Sequence, residues 1–405
     1  MQLYFFYCRQ LNFGFSKLNE RFRRFNYTFA NNLKCCIFVI PPKLRGLKQF
    51  LFYILIPLSW LYAFVANVRN WLYDKNMLKS KSFKLPVIVV GNLSAGGSGK
   101  TPHVELLLSI LSENYKTAML SRGYKRKSRG FIIANESSTS QKIGDEPYQI
   151  MRKFPQTTVA VCENRVEGIS RLIKANPEIQ VAVLDDGFQH RSLKPGLSVL
   201  LTDYNQLYTR DRMLPAGRLR ESSFSSLRAD IIIVTKCPDD IKPIDLRVVE
   251  TELNPMPYQS LFFSQTSYEP LKPVFENEAL PESLENIKSA NKQVLFVAGI
   301  VSPEHAVAKI QEYCSSPETL IFPDHYQFAK QDFRKIESTF EQLSQAEKVI
   351  ITTEKDAARL VNNADFPDTL KPFIYYLPIK VSIINKEDIF IQKIKNYVAE
   401  NTRNR

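Results

Sequence analysis

The chain has 405 residues, enough for one large hydrophobic core or two smaller ones. Hydrophobic residues make up 44% of it and charged residues 23%, which excludes a polytopic membrane protein and a disordered chain. The net charge of +13 is uneven, because residues 1–48 hold nine Lys and Arg against one acidic residue. The rest is only mildly basic, so the composition predicts no nucleic-acid partner.

The N-terminal part of the chain places this basic segment directly before an apolar one. Residues 1–48 lack the short apolar core and cleavage site of a signal peptide, and the sequence assigns them no function. Residues 50–68, FLFYILIPLSWLYAFVANV, are uncharged over about the length of a membrane-spanning helix. Three structures are compatible with this pattern: a helix in the bilayer interface, a single span, or a helix docked on a soluble body. Anionic lipid headgroups are the natural partner of the preceding cations.

Short apolar runs alternate with helical segments from residue 85 onward. Continuous apolar runs that end in turns are typical of buried parallel strands in βαβ units. A first series of strands is predicted at 86–90, 116–120, 158–162, 180–184, 197–202 and 230–235. A second series is predicted at 293–298, 319–322, 348–352 and 373–377, followed by a helix near 386–399. The pattern therefore predicts an α/β protein with two units.

These patterns also suggest boundaries along the chain. Six segments are predicted: a basic extension (1–48), a membrane-associated helix (49–76), a larger α/β unit with the phosphate loop described next (77–255), a linker rich in Pro and Glu (256–290), a smaller α/β unit (291–385), and a C-terminal segment (386–405). We expect the C-terminal helix to pack back on the larger unit.

The stretch SAGGSGKT, residues 94–101, is the clearest chemical signal. It follows the first strand and precedes a helix, and the small residues Ser94, Ala95, Gly96, Gly97, Ser98 and Gly99 leave room for backbone N–H groups to surround a polyphosphate. Lys100 provides a charge for the β- and γ-phosphates, and Thr101 provides a hydroxyl for Mg²⁺. The strict pattern has Gly where this chain has Ser94. The context still predicts nucleotide phosphate binding.

Two adjacent carboxylates, Asp185 and Asp186, follow the predicted strand at 180–184. Two carboxylates at a strand end cannot both pack in an apolar core, and a metal ion relieves their repulsion. The alternative is a solvated turn with a helix-capping Asp.

For each of the other polar clusters, a purely structural role is an alternative to a role in a functional site. Asp145 and Glu146 in GDEPY either cap a helix or act in a site, and His325 in FPDHYQF is by itself more typical of a structural residue. The cations of SRGYKRKSRG (121–130), which include Arg122, are either solvated or close to a ligand. Arg220 in LPAGRLRE is a candidate anion clamp. IVTKCPDD lacks the Asn and the Asp of the Asn-Lys-x-Asp motif that reads guanine, which argues against a switch GTPase.

The ordered set of motifs resembles the tetraacyldisaccharide 4'-kinase family, the lipid A 4'-kinases of Gram-negative bacteria. The resemblance runs from about residue 50 to 400 and leaves out 1–45. It depends on RNWLYDKNMLKS, VGNLSAGGSGKTPHVE, LSRGYKRKSRGF, GDEPYQI, LDDGFQHR, LPAGRLRE, FPDHYQF and TTEKDAARL. The loop of this family also has Ser where the strict pattern has Gly.

The resemblance implies a function, a fold and a location. The function is ATP-dependent phosphorylation of the 4'-hydroxyl of a tetraacylated glucosamine disaccharide 1-phosphate, a lipid A precursor. The fold is two α/β/α units with a cleft between them, the larger a P-loop NTPase-like parallel sheet, preceded by the membrane-associated helix. The location is the cytoplasmic face of the inner membrane, against the phospholipid surface, and no obligate protein partner is evident.

The resemblance also implies roles for individual residues. Lys100, Thr101 and the loop amides hold ATP, Asp185 and Asp186 form the metal-side acidic pair, and Glu146 approaches the Mg²⁺. Asp145 is the expected catalytic base, with His325 as the partner that orients it. Three further candidates for charge stabilisation or headgroup binding are Arg122, Arg165 and Arg220. Two other classes stay open, an ATP-dependent P-loop ligase or synthetase and a membrane-tethered nucleotide switch.

Overall fold

The computed structural model describes residues 47–275, 278–344 and 347–402, with side chains described from residue 54 onward. The predictions for the basic extension therefore lie almost wholly outside the described residues. Helix α1, Leu47–Asp74, contains the apolar segment. No helix in the described parts of the chain has the length and apolar character needed to cross a membrane.

A nine-stranded, mostly parallel sheet forms the centre of the larger unit, in the order β14-β8-β7-β6-β1-β5-β2-β4-β3. Its strands are β1 (Val87–Asn92), β2 (Thr117–Ser121), β3 (Ile132–Ile133), β4 (Thr158–Val161), β5 (Val181–Asp185), β6 (Leu197–Asp203), β7 (Ile231–Thr235), β8 (Ser260–Tyr268) and β14 (Ile379–Ile383). Its helices are α2 (Lys100–Ser112), α3 (Ser140–Ile143), α4 (Asp145–Lys153), α5 (Arg165–Ala175), α6 (Pro243–Leu253) and α11 (Glu387–Thr402). Only β3 and β14 pair antiparallel in this sheet.

A five-stranded sheet forms the smaller unit, in the order β11-β10-β12-β13-β9. Its strands are β9 (Lys272–Pro273), β10 (Gln293–Ala298), β11 (Glu318–Ile321), β12 (Lys348–Thr353) and β13 (Ile374–Leu377). Its helices are α7 (Leu284–Ser289), α8 (Glu304–Gln311), α9 (Lys330–Gln342) and α10 (Glu354–Leu360). The predicted α/β architecture is confirmed.

Side-chain alternation along the central strands covers both faces of the large sheet. Ile88 and Val90 on β1 face the cluster that contains α2 and α11, which contributes the buried residues Phe390, Ile394 and Val398. Val87 and Val89 face the opposite cluster, which contains α5. Because both faces are covered, the carboxyl ends of the parallel strands are the edge that stays available for a ligand.

Four elements differ from the predicted boundaries, since β9 and α7 of the smaller unit lie inside the predicted linker 256–290, and β8 and β14 belong to a different sheet from the one expected. β8 lies inside the predicted linker 256–290, and β14 lies inside the segment 291–385 predicted for the smaller unit, but both belong to the large sheet. β14 pairs antiparallel with β8 over Ile379–Ile383, so the chain returns to the first sheet before α11 begins. The correction has a physical reason: β14 is the edge strand and β8 is the next strand in, and polar residues interrupt the apolar runs of both, so neither has the continuous apolar pattern of a strand covered on both faces.

Candidate active site

The phosphate loop, residues 94–101, joins the end of β1 to the first turn of α2. Gly96 and Gly99 have φ angles of 118° and 77°, in the left-handed region that glycine adopts without strain. The loop therefore turns directly in front of a helix N-terminus, the arrangement that presents backbone N–H groups to an anion. Ser98 Oγ is buried without a hydrogen-bond partner. Its hydroxyl has a donor left for a phosphate oxygen.

Lys100 lies between the ends of β1 and β5. Its Nζ is 3.4 Å from Asn92 Oδ1 and 3.7 Å from Asp186 Oδ1, and its side chain is mostly buried. A lysine held by weak contacts next to the loop is free to exchange them for phosphate oxygens.

Residues 212–221, which we call the brace loop, hold the phosphate loop from its other side. Ala95 N–H donates to the Arg218 carbonyl at 2.6 Å, and Ser94 forms an antiparallel bridge with Leu219. Arg220 Nη2 donates to Asn92 Oδ1 at 2.6 Å, and its Nη1 lies 3.2 Å from Asp186 Oδ2. Arg220 is thus brought into the site, where it already neutralises a carboxylate.

Asp185 and Asp186 lie at the end of β5 in different electrostatic surroundings. Asp185 is 2% exposed, and its Oδ1 has no hydrogen-bond partner. Burial, and then the charges of Glu146 and Asp186, raise the pKa of Asp185 to about 7. Burial also acts to raise the pKa of Asp186, but Lys100 and Arg220 outweigh it and the net shift is downward. Lys100 and Arg165 act to lower the pKa of Asp185, but no cation among the described residues forms an ion pair with its carboxylate, so the net shift is upward.

Asp145 and His325 meet across the two units, although they are 180 positions apart. Asp145 begins α4, and His325 lies in the turn after β11 with a φ angle of 59°. His325 Nδ1 is 3.2 Å from Asp145 Oδ2, and the Tyr124 ring packs edge-on against the imidazole at 5.2 Å. Glu146, the next residue along α4, lies close enough to Asp185 to raise its pKa. The pair is thus connected to the acidic end of β5.

Helix α10 adds two cations to this pair that the sequence analysis assigned no role. Arg359 Nε donates to Asp145 Oδ2 at 2.8 Å, and Arg359 Nη1 lies 2.5 Å from Asp356 Oδ1. Lys355 Nζ is 3.0 Å from His325 Nε2 and 3.3 Å from Glu146 Oε1. Both residues belong to TTEKDAARL, one of the motifs on which the family resemblance depends, and this membership was the sequence signal that could have pointed to them.

The partners of His325 select its tautomer. Lys355 can only donate, so Nε2 accepts in that contact. Nδ1 is 3.2 Å from the Asp145 carboxylate, which can only accept, so Nδ1 carries the hydrogen and the longer approach of Arg359 Nη2, at 3.4 Å, is not a hydrogen bond. Burial alone would raise the pKa of Asp145, but the hydrogen bond from His325 and the charge and hydrogen bond of Arg359 hold it below its ordinary value. The Asp145 carboxyl is therefore ionised at neutral pH.

Arg165 and Arg122 differ in their suitability as anion-binding residues. Arg165 is 1% exposed and donates to the backbone carbonyls of Cys162 at 2.6 Å and Asp185 at 3.2 Å. Burial lowers the pKa of its guanidinium to about 10. The Arg165 guanidinium lies in the core and fixes the end of β5, and the expectation that it stabilises charge or binds a headgroup stays a prediction. Arg122 is exposed on the basic loop 121–130.

Helix α1 is attached to the site by polar contacts and exposes apolar residues. The Ala216 N–H donates to Ser59 Oγ at 2.9 Å, and Tyr62 Oη donates to the Arg220 carbonyl at 3.0 Å, so the helix touches the brace loop. Ser59 and Asn70 are buried. Its exposed side chains include Leu58, Trp60, Leu61, Phe64, Val65, Val68 and Trp71. This distribution is the reverse of a helix that packs on a protein core.

A parallel sheet, a glycine-rich loop between β1 and α2, and acidic residues at the end of β5 define a P-loop α/β protein of the nucleotide-binding class. The model of the tetraacyldisaccharide-1-P 4'-kinase family matches residues 51–399. The chain belongs to this family, and the resemblance carried by the motifs is confirmed.

Individual relatives agree with the family match. The tetraacyldisaccharide 4'-kinase of Bacteroides thetaiotaomicron is 50% identical over 357 residues, which cover 86% of this chain and 94% of the relative. The Bacteroides fragilis protein of the same name is 46% identical over 353 residues, 86% of this chain and 94% of the relative. The crystal structure of LpxK from Aquifex aeolicus in complex with ATP is similar with a TM-score of 0.66 and 29% identity, and the match covers 86% of this chain and 99% of that one.

Proposed function

We propose that the chain transfers the γ-phosphoryl group of ATP to the 4'-hydroxyl of a tetraacylated glucosamine disaccharide 1-phosphate. The observation that carries this proposal is the Asp145–His325 contact across the two units, next to acidic residues that reach the phosphate loop. The names of the relatives support the substrate, and the Aquifex aeolicus complex supports ATP as the donor.

Phosphate binding is assigned to the loop amides, Lys100 and the hydroxyl of Ser98. The left-handed glycines and the partnerless Ser98 Oγ suit a polyphosphate, and Lys100 is close enough to exchange Asp186 for a phosphate oxygen. Arg220 stays paired to Asp186 in this assignment and limits the negative charge next to the transferred group.

Mg²⁺ fits the acidic end of β5. Its proposed ligands are the Thr101 hydroxyl and the carboxylates of Glu146, Asp185 and Asp186. The partnerless Asp185 Oδ1 and the raised pKa of that carboxyl are what a cation would relieve. Within the described residues no three His, Cys, Asp or Glu side chains are grouped so that they could hold a metal ion, so this ligand set is a proposal that includes the Thr101 hydroxyl and the phosphates of ATP. Bound there, the ion would add positive charge at the β- and γ-phosphates.

Proton transfer is assigned to Asp145. Its ionised carboxylate accepts the proton of the 4'-hydroxyl while the hydroxyl oxygen bonds to phosphorus and the bond to ADP breaks. His325 donates from Nδ1 to Asp145 and orients it, and Lys355 fixes the imidazole from Nε2. Arg359 offsets the charge of the same carboxylate.

Membrane association at the cytoplasmic face of the inner membrane is part of the proposal. The apolar face of α1 is suited to the acyl-chain boundary, since the substrate's own acyl chains stay in the bilayer. Because α1 contacts the brace loop through Ser59 and Tyr62, a helix on the bilayer would keep the site near the headgroups.

The deciding assay supplies ATP, Mg²⁺ and the tetraacylated disaccharide 1-phosphate in mixed micelles and looks for a new phosphomonoester by mass spectrometry. We expect a product one phosphate heavier with wild-type protein and almost none with Lys100→Ala. A ligase or a nucleotide switch would consume ATP without forming this product. ATP consumption without a new phosphomonoester would therefore contradict the proposal.

A further inference from the structure

A partly buried ion triad joins the phosphate-loop helix to the smaller unit at some distance from the reacting groups. Lys153 Nζ lies 2.7 Å from Glu105 Oε2 and 3.2 Å from Glu354 Oε1. The three side chains belong to α4, α2 and α10 and are 25%, 7% and 12% exposed, in that order. Gln149 Nε2 donates to the second Glu105 oxygen at 2.7 Å. One lysine therefore connects three elements of two units.

The triad is costly for a purely structural contact. Two carboxylates share one ammonium, and burial, followed by the charge of Glu354, raises the pKa of Glu105 to about 7. Buried ion pairs of this kind contribute little net stability, and their best-attested use is to fix one arrangement of the elements that they join. The exposed pair Lys116–Glu178 in the same chain has no such cost and joins no two units.

The triad and the Asp145 site lie at opposite ends of one helix pair. Helix α4 carries Asp145 at its first position and Lys153 at its last, and α10 carries Glu354 at its first position and Arg359 near its end. The contacts Lys153–Glu354 and Asp145–Arg359 therefore align the two helices antiparallel.

Small apolar contacts fill the space between these two ion contacts. Ala358 of α10 belongs to the buried cluster of Tyr148 and Ile143, which lie on and before α4. This cluster is small, so the charged contacts at the two ends carry much of the alignment. The position of the His325 imidazole depends on the position of α10, because Lys355 and Arg359 of that helix both contact the ring.

We infer that Lys153 is a positioning residue, whose bridge between Glu105 and Glu354 holds α10 in the register that places His325 against Asp145. The inference rests on the proposed function, since the geometry maintained is that of the proposed proton acceptor. Without the lysine, the buried carboxylate of Glu105 and the partly buried carboxylate of Glu354 face each other, and α10 moves away from α4. A displacement of about 1 Å at the reacting groups costs up to about 10²-fold in rate.

The test compares full-length Lys153→Met with Lys116→Met, which makes the same substitution in the exposed pair. We expect Lys153→Met to lower kcat by about 10- to 10²-fold with the KM for ATP within about twofold of wild type, because the phosphate loop is untouched. Lys153→Arg should recover most of the loss, and Lys116→Met should match wild type. A rate for Lys153→Met equal to that of Lys116→Met would overturn the inference.

A second variant covers the case in which Lys153→Met does not fold. Glu354→Ala leaves a neutral Lys153–Glu105 pair inside the larger unit and removes only the link to α10. We expect the same loss of kcat, together with faster hydrogen exchange in residues 354–360 and unchanged exchange in α2. Wild-type kcat and exchange in Glu354→Ala would contradict the inference. Hydrogen exchange can be measured without turnover. If the wild-type protein were inactive, the proposed function would be contradicted, but the effect of Lys153 and Glu354 on the position of α10 could still be tested by exchange.

Discussion

Arg359 and His325 approach the same oxygen of Asp145 from the smaller unit. Arg359 Nε lies 2.8 Å from Asp145 Oδ2, and His325 Nδ1 lies 3.2 Å from it. Asp145 is 7% exposed, so both contacts occur where water competes little. The second oxygen, Oδ1, is the one that the proposed mechanism assigns to the substrate hydroxyl.

Removing Arg359 should shift the pH dependence of the reaction. Burial acts to raise the pKa of Asp145, and His325 and Arg359 together bring it below its ordinary value. In Arg359→Met the pKa of Asp145 should therefore rise, and the acidic limb of kcat/KM should move to higher pH. Steady-state rates between pH 4.5 and 9 measure this shift. A profile that only drops in height, with an unmoved acidic limb, would assign Arg359 a different role.

The Asp145 pair should respond to mutation as one unit. Asp145→Ala and His325→Ala should each lose about 10²- to 10⁴-fold in turnover, the range of general base catalysis. The double variant should be little worse than the more damaging single variant, because the effects of mutating residues that act as one unit do not add. ATP affinity, measured by calorimetry, should barely change. Multiplicative losses would show that the residues act independently.

Parallel, buried strands could be predicted well from the sequence. Each of the ten predicted strands occurs with ends within two residues, because a strand covered on both faces is a continuous apolar run. Four strands of the described residues were missed: the two-residue strands β3 and β9, and the longer strands β8 and β14. SLFFSQTSY and IKVSI mix polar residues into the run, since they form the solvated, antiparallel end of the sheet.

Single residues of the site were harder to predict than its motifs. Arginine is a residue type that often binds anions, but Arg165 lies at the start of α5 and its side chain points into the core beneath Asp185. Lys355 and Arg359 had the pattern of a solvated helix face, and only the packing of α10 on α4 brings them to His325 and Asp145. Contacts between residues so far apart in the chain cannot be predicted from local sequence patterns.

Replacing Asp185 should separate its metal role from its cost to the fold. The pKa of Asp185 is raised from 3.8 to about 7, so its contribution to stability is fully present below about pH 4 and is lost as the pH rises through about 7. Without Mg²⁺, Asp185→Asn should therefore have a higher Tm than wild type at pH 8 and a smaller advantage at pH 5. It should transfer almost no phosphate.

The same measurement with added Mg²⁺ provides the contrast. Wild type should gain Tm with Mg²⁺ and ADP, because a ligand stabilises the state that binds it, and Asp185→Asn should gain much less. Asp368→Asn is the control, since the side chain of Asp368 is 90% exposed. Equal gains in Asp185→Asn and wild type would place the cation elsewhere.

The exposed face of α1 should determine membrane binding through its apolar side chains. Leu61 and Phe64 are 62% and 68% exposed, so Leu61→Glu with Phe64→Glu should leave the Tm of the protein unchanged. An apolar side chain removed from water contributes about 1.5–3 kcal/mol, so the double variant should partition into vesicles at least about 10²-fold more weakly. Ile244→Glu, at a position that is also 62% exposed but lies on α6, should bind as wild type does. Sedimentation with phospholipid vesicles measures all three. Release of the wild type by 1 M salt alone, with unchanged binding of the double variant at low salt, would mean that headgroup charge dominates.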